Sequence, residues 1–339
     1  MSFLPPSLLP LAVALLAAAQ AWIGPQPGTA PRPVYANPVL NQDFPDPSVL
    51  PTGGRYYAFA TEGNGRHVQV ASSANLTDWT APAEALPEWG RWALGDTWAP
   101  SVTAGGPLGF LMYYTARDSK SGRQCIGVAT ASRPEGPYRD DEAKPLVCQA
   151  DDGGSIDPDA FSDQAGRRYL VWKNDGNCCG IGTRIYGAPL GPDGLKLAGT
   201  PKVLTAADQV SDAGLIEGPS VTLANGRYVL LYSAGRWDTE DYRVNFATAS
   251  SPLGPYRKPE NNTILRSNAA AAGPGGQGVV TDGLGRTWLY YHAWAPDAVG
   301  YPDGARSLRL DPIDLSSATP VVSGPSGQPR PGPVTRRGP

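Results

Sequence analysis

The chain is poor in what several functional classes require. Two histidines, four cysteines and no Cys-x-x-Cys pair in 339 residues argue against a cysteine–histidine metal cluster. Charged residues make up only 17%, and 28 basic against 31 acidic side chains leave a net charge of −3. No positive field exists to hold nucleic acid. No apolar run approaches the roughly 20 residues that cross a bilayer. Leu8–Ala19 fits instead the core of a secretory signal, with a small-x-small cleavage pattern at Ala19-Gln20-Ala21, although no Lys or Arg precedes it. Good helix interiors are scarce too: 41 glycines and 36 prolines are about 23% of the chain, where roughly 12% is average, and this excludes a helical bundle. What is present is turn formers and aromatics, with nine Trp and 15 Tyr. That is the composition of a secreted, turn-rich β-protein.

Residues 1–21 therefore read as a signal peptide, 22–33 as a Pro/Gly-rich linker, 34–322 as one domain and 323–339 as a Pro/Gly-rich tail without fixed structure. Secretion gives the cysteines a meaning, because disulfides persist in oxidising compartments. Cys125 and Cys148 flank a strand–turn–strand segment, and a bridge between them would close it. Cys178 and Cys179 are adjacent in a Gly-rich loop, either as a vicinal disulfide or as two thiols. Asn75 and Asn261 begin N-glycosylation patterns.

A turn followed by an aromatic-rich run returns five times. Its markers Tyr56, Phe110, Tyr169, Tyr228 and Trp288 are separated by steps of 54, 59, 59 and 60 residues. A second segment, Ala129 to Arg139, reappears as Ala247 to Arg257 at an offset of 118, two such steps. A fixed period near 59 with several short strands per unit marks a radial β-repeat, whose units bury their faces only against each other. The expected fold is all-β, a five-bladed β-propeller of four-stranded blades with an axial active site.

About ten residues before each aromatic run stands a Pro-containing segment: Asp46-Pro47-Ser48, Ala99-Pro100-Ser101, Asp157-Pro158-Asp159, Glu217-Gly218-Pro219 and Gly273-Pro274-Gly275. In a closed repeat, equivalence in sequence is equivalence around the axis, so three blades are expected to aim a carboxylate at one pocket. One isolated Asp-Pro is ordinary turn chemistry. Three in register are not, because converging carboxylates push their pKa values apart. Such a set suits glycoside hydrolysis, which needs one ionised and one protonated carboxyl group.

At these residues the chain resembles glycoside hydrolase family 43, the five-bladed arabinan- and xylan-active enzymes. The motifs that carry the resemblance are Asp43-Phe44-Pro45-Asp46-Pro47-Ser48, Trp98-Ala99-Pro100-Ser101, Ser155-Ile156-Asp157-Pro158-Asp159, Ile216-Glu217-Gly218-Pro219 and Tyr291-His292-Ala293-Trp294, in the family's order, over roughly residues 34–322. The resemblance implies inversion. Asp46 would be the general base, Glu217 the general acid, and Asp157 would orient Glu217 and raise its pKa. Asp43 is the competing base. Inversion implies an Asp46–Glu217 carboxyl separation of roughly 6.5–9.5 Å. Phe44, Trp98 and Arg306 would bind substrate, and His292 would sit on the axis beside an ion such as calcium, held through water. No cofactor would be needed for the chemistry. Many arabinan-active relatives carry Asp where this chain has Ser101.

The implied protein is a secreted, extracellular monomer acting on plant cell-wall polysaccharide or oligosaccharide, with neither nucleic acid nor membrane as partner. The Trp-Ala-Pro and Tyr-His-Ala-Trp motifs favour α-L-arabinofuranosyl linkages of arabinan or arabinoxylan and release of terminal residues. An endo-1,5-α-L-arabinanase or a β-xylosidase of the same family is the alternative. A retaining, fructose-active propeller is disfavoured because Glu217 precedes Gly rather than Cys. A sugar-binding propeller without catalysis has no need for all three carboxylates. Segment 84–96 and the Cys178-Cys179 loop are the expected rim of the channel.

Overall fold

A computed structural model describes residues 1–2 and 33–335. The expected signal peptide and linker lie outside the described residues, apart from Met1, Ser2 and Pro33. The five aromatic repeats are the second strands of five antiparallel sheets: Arg55–Ala60, Gly109–Arg117, Arg168–Asn174, Arg227–Ala234 and Thr287–Trp294. Each pairs with a preceding first strand: Ser48–Thr52, Trp98–Gly106, Ser155–Ser162, Ile216–Ala224 or Ala272–Thr281. These first strands pack on one another in cyclic order, and that of blade 5 returns to that of blade 1. The sheets therefore stand as blades around an axis.

The apolar core is divided into five clusters, one in each gap between blades. Leu111 and Tyr113 face blade 3, where they meet Leu170 and Trp172. Their strand neighbours Met112 and Tyr114 face the other way, toward Phe59 of blade 1. Leu230 and Tyr232 pack toward blade 3, and Val229 and Leu231 toward blade 5. Side chains alternate across a strand, so a strand between two blades must be apolar on both faces. This is why the repeats read as unbroken aromatic–aliphatic runs. Truncating a fully buried aromatic such as Trp172 to Ala would cost about 3–5 kcal/mol.

Two expectations fail in detail. Blade 2 has three strands, not four. By the offset of 118, Pro145 falls where blade 4 begins its fourth strand, Thr263–Leu265. Proline has no N–H to give to a ladder. The edge of blade 2 is held instead by the bridge Ile126↔Val147 and by the expected Cys125–Cys148 disulfide.

The tail is the second correction. Residues 323–335 are ordered onto blade 5, and 336–339 lie outside the described residues. Arg330–Pro331 pairs with Val34–Tyr35. The Arg330 guanidinium and the Ser326 hydroxyl reach the buried Asp311 carboxylate at 2.8 and 2.5 Å. The Val334 N–H donates to buried Asp282. Composition alone missed this because the anchors are polar groups of blade 5, not an apolar face of the tail.

Candidate active site

A proline stands at the equivalent step in the first strands of blades 2 to 5 and directly before that of blade 1, and the residue before each proline has a left-handed backbone. The φ angles are +50° at Asp46, +42° at Ala99, +55° at Asp157, +53° at Gly218 and +55° at Gly273. In blades 2 to 5 the pairing register shifts at this step. A non-glycine residue in this conformation costs on the order of 1–3 kcal/mol and is retained where the surroundings over-determine it. Here the kink turns strand residues into the channel. It also corrects the expected equivalence of the three acids. Asp46 and Asp157 share the kinked position, whereas Glu217 lies one residue earlier, at the step that Trp98 occupies in blade 2.

Asp46, Asp157, Glu217, Trp98 and Arg306 line one axial cavity of about 550 Å³. Asp46 is held from three sides. Arg306 Nη1 lies 3.2 Å from Oδ1. Thr61 Oγ1 donates to Oδ2 at 2.7 Å, and because that hydroxyl accepts the Ala99 N–H its proton is directed at the carboxylate. The Asp46 N–H donates to His292 Nδ1 at 2.9 Å. Burial alone would push Asp46 up, but the Arg306 charge, His292 and the Thr61 hydrogen bond outweigh it and hold the carboxyl below its ordinary value. His292 is itself pushed down to about 3, by burial and then by Arg306, against the pull of Asp46. It is thus neutral, and Arg306 and Thr61 are the partners that keep Asp46 ionised. Gly276 makes this packing feasible: with φ +57°, a Cβ there would stand 2.7 Å from His292 Nδ1 and 3.1 Å from Asp46 Cα.

Glu217 has different neighbours. Tyr242 donates its hydroxyl to Oε1 at 2.8 Å, and Lys173 Nζ lies 3.2 Å from Oε2. Tyr242 passes where Gly275 has no side chain; a Cβ would come within 2.0 Å of its ring. The Gly218 N–H donates to Asp157 Oδ2 at 2.9 Å, so Asp157 fixes the backbone beside Glu217. Asp157 is pushed up to about 7, by burial first and the Glu217 charge second, with Lys173 opposing. Asp157 thus keeps its proton toward neutrality beside Glu217 while Asp46 is ionised. An ionised carboxylate and a proton-holding carboxyl group face the same cavity.

The other expected residues divide. Trp98 and Arg306 line the cavity, and the Arg306 guanidinium also lies 4.6 Å over the Trp237 ring. Phe44 does not line the cavity: it is fully buried in the core beside Tyr56 and Trp288. Its neighbour Asp43 reaches the rim, where its carboxylate is occupied by the Tyr301 hydroxyl at 2.8 Å and the Arg306 N–H at 2.9 Å. Ser101 donates to Asp159 Oδ1 at 3.2 Å and so ties blade 2 to blade 3. Asp159 lies along the same channel and is raised to about 6 by burial, against hydrogen bonds from Val221, Ser101 and Ser220. Of the two expected rim segments, Cys178 lines the cavity. Segment 84–96 does not; Glu88, Trp89 and Arg91 line a separate cavity of about 380 Å³.

His292 tests the expected axial ion. Its Nδ1 accepts a backbone N–H, so Nε2 carries the proton, and Nε2 is buried without a hydrogen-bond partner among the described residues. A protonated nitrogen cannot ligate a cation directly but can donate to a water that does. The residues fit an ion held through water, not one bound by the imidazole. The metal-like cluster of Asp118, Cys125 and Cys148 is not a site, because the disulfide uses both sulfurs.

Lys173, Tyr242, Thr61, Trp237, Tyr301 and Asn177 were not expected at the site. Only Lys173 left a signal in the sequence, as the one charge that follows the aromatic run of blade 3 directly at Trp172.

Comparison with known proteins agrees with this geometry. The sequence profile of Glycosyl hydrolases family 43 matches residues 35–320. The chain is 28% identical over 317 residues to a "Probable arabinan endo-1,5-alpha-L-arabinosidase A" of Aspergillus flavus, covering 85% of this chain and 94% of that one. It is 30% identical over 275 residues to the "Extracellular endo-alpha-(1->5)-L-arabinanase 2" of Bacillus subtilis, covering 70% of this chain and 55% of that one. Among solved structures, a "thermostable family-43 glycoside hydrolase" superposes with a TM-score of 0.81 at 31% identity, over 89% of this chain and 99% of that one.

Proposed function

The chain belongs to glycosyl hydrolases family 43, and from that premise we propose that it hydrolyses α-L-arabinofuranosyl linkages of plant cell-wall arabinan or arabinoxylan with inversion. The observation that carries the reading is the division of protonation states within one cavity: Asp46 kept ionised by Arg306 and Thr61, and Asp157, beside Glu217, keeping its proton to about pH 7. Asp46 takes a proton from water as that water attacks the anomeric carbon. Glu217 gives a proton to the departing oxygen. Asp157 holds the Gly218 N–H and so the direction of Glu217. The new bond from water to the anomeric carbon forms as the bond to the departing oxygen breaks, the carboxyl groups carry only the protons, and a water-held ion near His292 would supply charge and rigidity at the axis. The enzyme acts outside the cell, in keeping with its disulfides and with the extracellular relative.

Release of terminal arabinose is supported by the walls of the cavity. Glu62, Asn177, Trp237 and Tyr301 line it from the connections after the second strands of blades 1, 3, 4 and 5. A rim raised on four sides suits a chain end better than a chain passing through. Internal cleavage is the second reading, favoured by the names of the two arabinan-active relatives. The products formed from linear α-1,5-arabinan decide between them. Arabinose alone fits the first, a ladder of short oligomers fits the second, and the absence of any product, with xylan as the next substrate, overturns both.

A further inference from the structure

Cys178 and Cys179 are joined, with sulfurs 2.08 Å apart, at the end of the short turn Gly176–Cys179. Of the two, Cys178 lines the axial cavity and is exposed, and Arg123 Nη1 lies 2.8 Å from the Cys179 sulfur. The turn also carries Asn177, whose Oδ1 accepts from Lys173 Nζ at 2.5 Å, the same ammonium that lies 3.2 Å from Glu217 Oε2. The disulfide is thus tied through two contacts to the carboxyl group that protonates the departing oxygen. Arg306 and Tyr301, by contrast, are tied to Asp46 and Asp43 on the far side of the reacting bond.

We propose that the Cys178–Cys179 disulfide forms the floor of the subsite that receives the departing sugar. The inference rests on the reading of the protein as an arabinan-active hydrolase. A sugar ring offers an apolar C–H face, and on the Glu217 side, where the neighbouring turn residue is the polar Asn177, the linked sulfurs are the apolar surface the turn presents to it. Linked sulfurs have no proton to donate and are polarizable, so they present such a surface in little space. Linking neighbouring residues also fixes the turn before substrate arrives, so less conformational freedom is lost on binding. Arg123 Nη1 lies against both sulfurs, 2.8 Å from Cys179 and 3.6 Å from Cys178, and Cys178 is the one that is exposed and lines the cavity.

The test uses the full chain with arabinose, which fills only the subsite on the Asp46 side, and α-1,5-arabinotriose, which extends past the reacting bond. Dissociation constants are measured by calorimetry in the Glu217→Gln background, with and without the pair Cys178→Ala/Cys179→Ala. A Cys178→Ser/Cys179→Ser pair serves if the Ala pair does not fold, and arabinose binding reports the integrity of the cavity in either. The expected result is about a 10-fold loss for arabinotriose with arabinose changed less than 2-fold. Equal weakening of both sugars assigns the disulfide a structural role and overturns the proposal, as does arabinotriose binding that does not change. Wild-type turnover of arabinotriose separates the two claims. Turnover with either of those patterns rejects the subsite alone, and failure of the wild type to turn over or bind the sugar rejects the hydrolase reading and the subsite with it.

Discussion

Lys173 Nζ is fully buried and lies 3.2 Å from Glu217 Oε2, so the carboxyl pair that holds the catalytic proton does so beside a cation. The two influences oppose each other. Asp157 and Glu217 repel as anions and favour a shared proton, while Lys173 favours its loss. Removing the cation as Lys173→Met lets the pair hold its proton more tightly. The alkaline limb of kcat/KM should then move up by about one pH unit, read from the pH dependence on an arabino-oligosaccharide. A limb that moves down would refute the assignment.

The wild-type profile follows from the same groups. Asp46 must be ionised and is held below the ordinary carboxylate value, so activity should persist on the acid side to a pH below the usual carboxylate range. The proton held beside Glu217 is kept to about 7, where Asp157 titrates, so activity is present below that pH and is lost as the pH rises through it. Asp157→Asn removes the repulsion, and the alkaline limb should move to lower pH.

The same substitution has a consequence for stability. Between the ordinary carboxylate value of 3.8 and about 7, folded Asp157 holds a proton that the unfolded chain has released. Its contribution to stability therefore falls across that window as the pH rises. Asp157→Asn should raise Tm at pH 8 by about 2–4 °C for each kcal/mol recovered, with the gain shrinking toward pH 4. Thermal melts at the two pH values check the sign.

Arg306 serves the base rather than the acid. Arg306→Ala should raise the acid limb, by freeing Asp46 from the charge that holds it down, and lower kcat/KM about 10²-fold. An acid limb that stays in place would assign Arg306 to sugar binding alone.

The Cys125–Cys148 bridge spans 23 residues at the edge of the blade that lacks a fourth strand. Replacing both cysteines by Ser should cost about 3 kcal/mol in unfolding experiments, from the freedom regained by the unfolded chain. Neither residue lines the cavity, so kcat/KM at 25 °C should be unchanged.

Much of this was legible in the sequence, because a closed repeat converts spacing into position. The period near 59 located the second strands, and the prolines located the kinked step that aims Asp46 and Asp157. What the repeat did not reach lies where the blades differ. Trp237, Tyr301 and Asn177 sit in connections of unequal length, which carry no register. Phe44 was misplaced because its neighbour Asp43 reaches the rim while the Phe44 side chain turns into the gap between blades 5 and 1. The tail was misjudged because its anchors, Asp311 and Asp282, are buried acceptors far away in sequence.

Asp46, held ionised, and Glu217, set beside the proton-holding Asp157, act across one bond with inversion. The most direct measurement is the anomeric form of the first arabinose released from an α-1,5-arabino-oligosaccharide, followed by proton NMR before mutarotation, with the Glu217→Gln variant alongside. The account predicts β-arabinofuranose as the initial product and a loss of about 10²–10⁴-fold in the variant. Release of the α form, or a variant as active as the wild type, would contradict it.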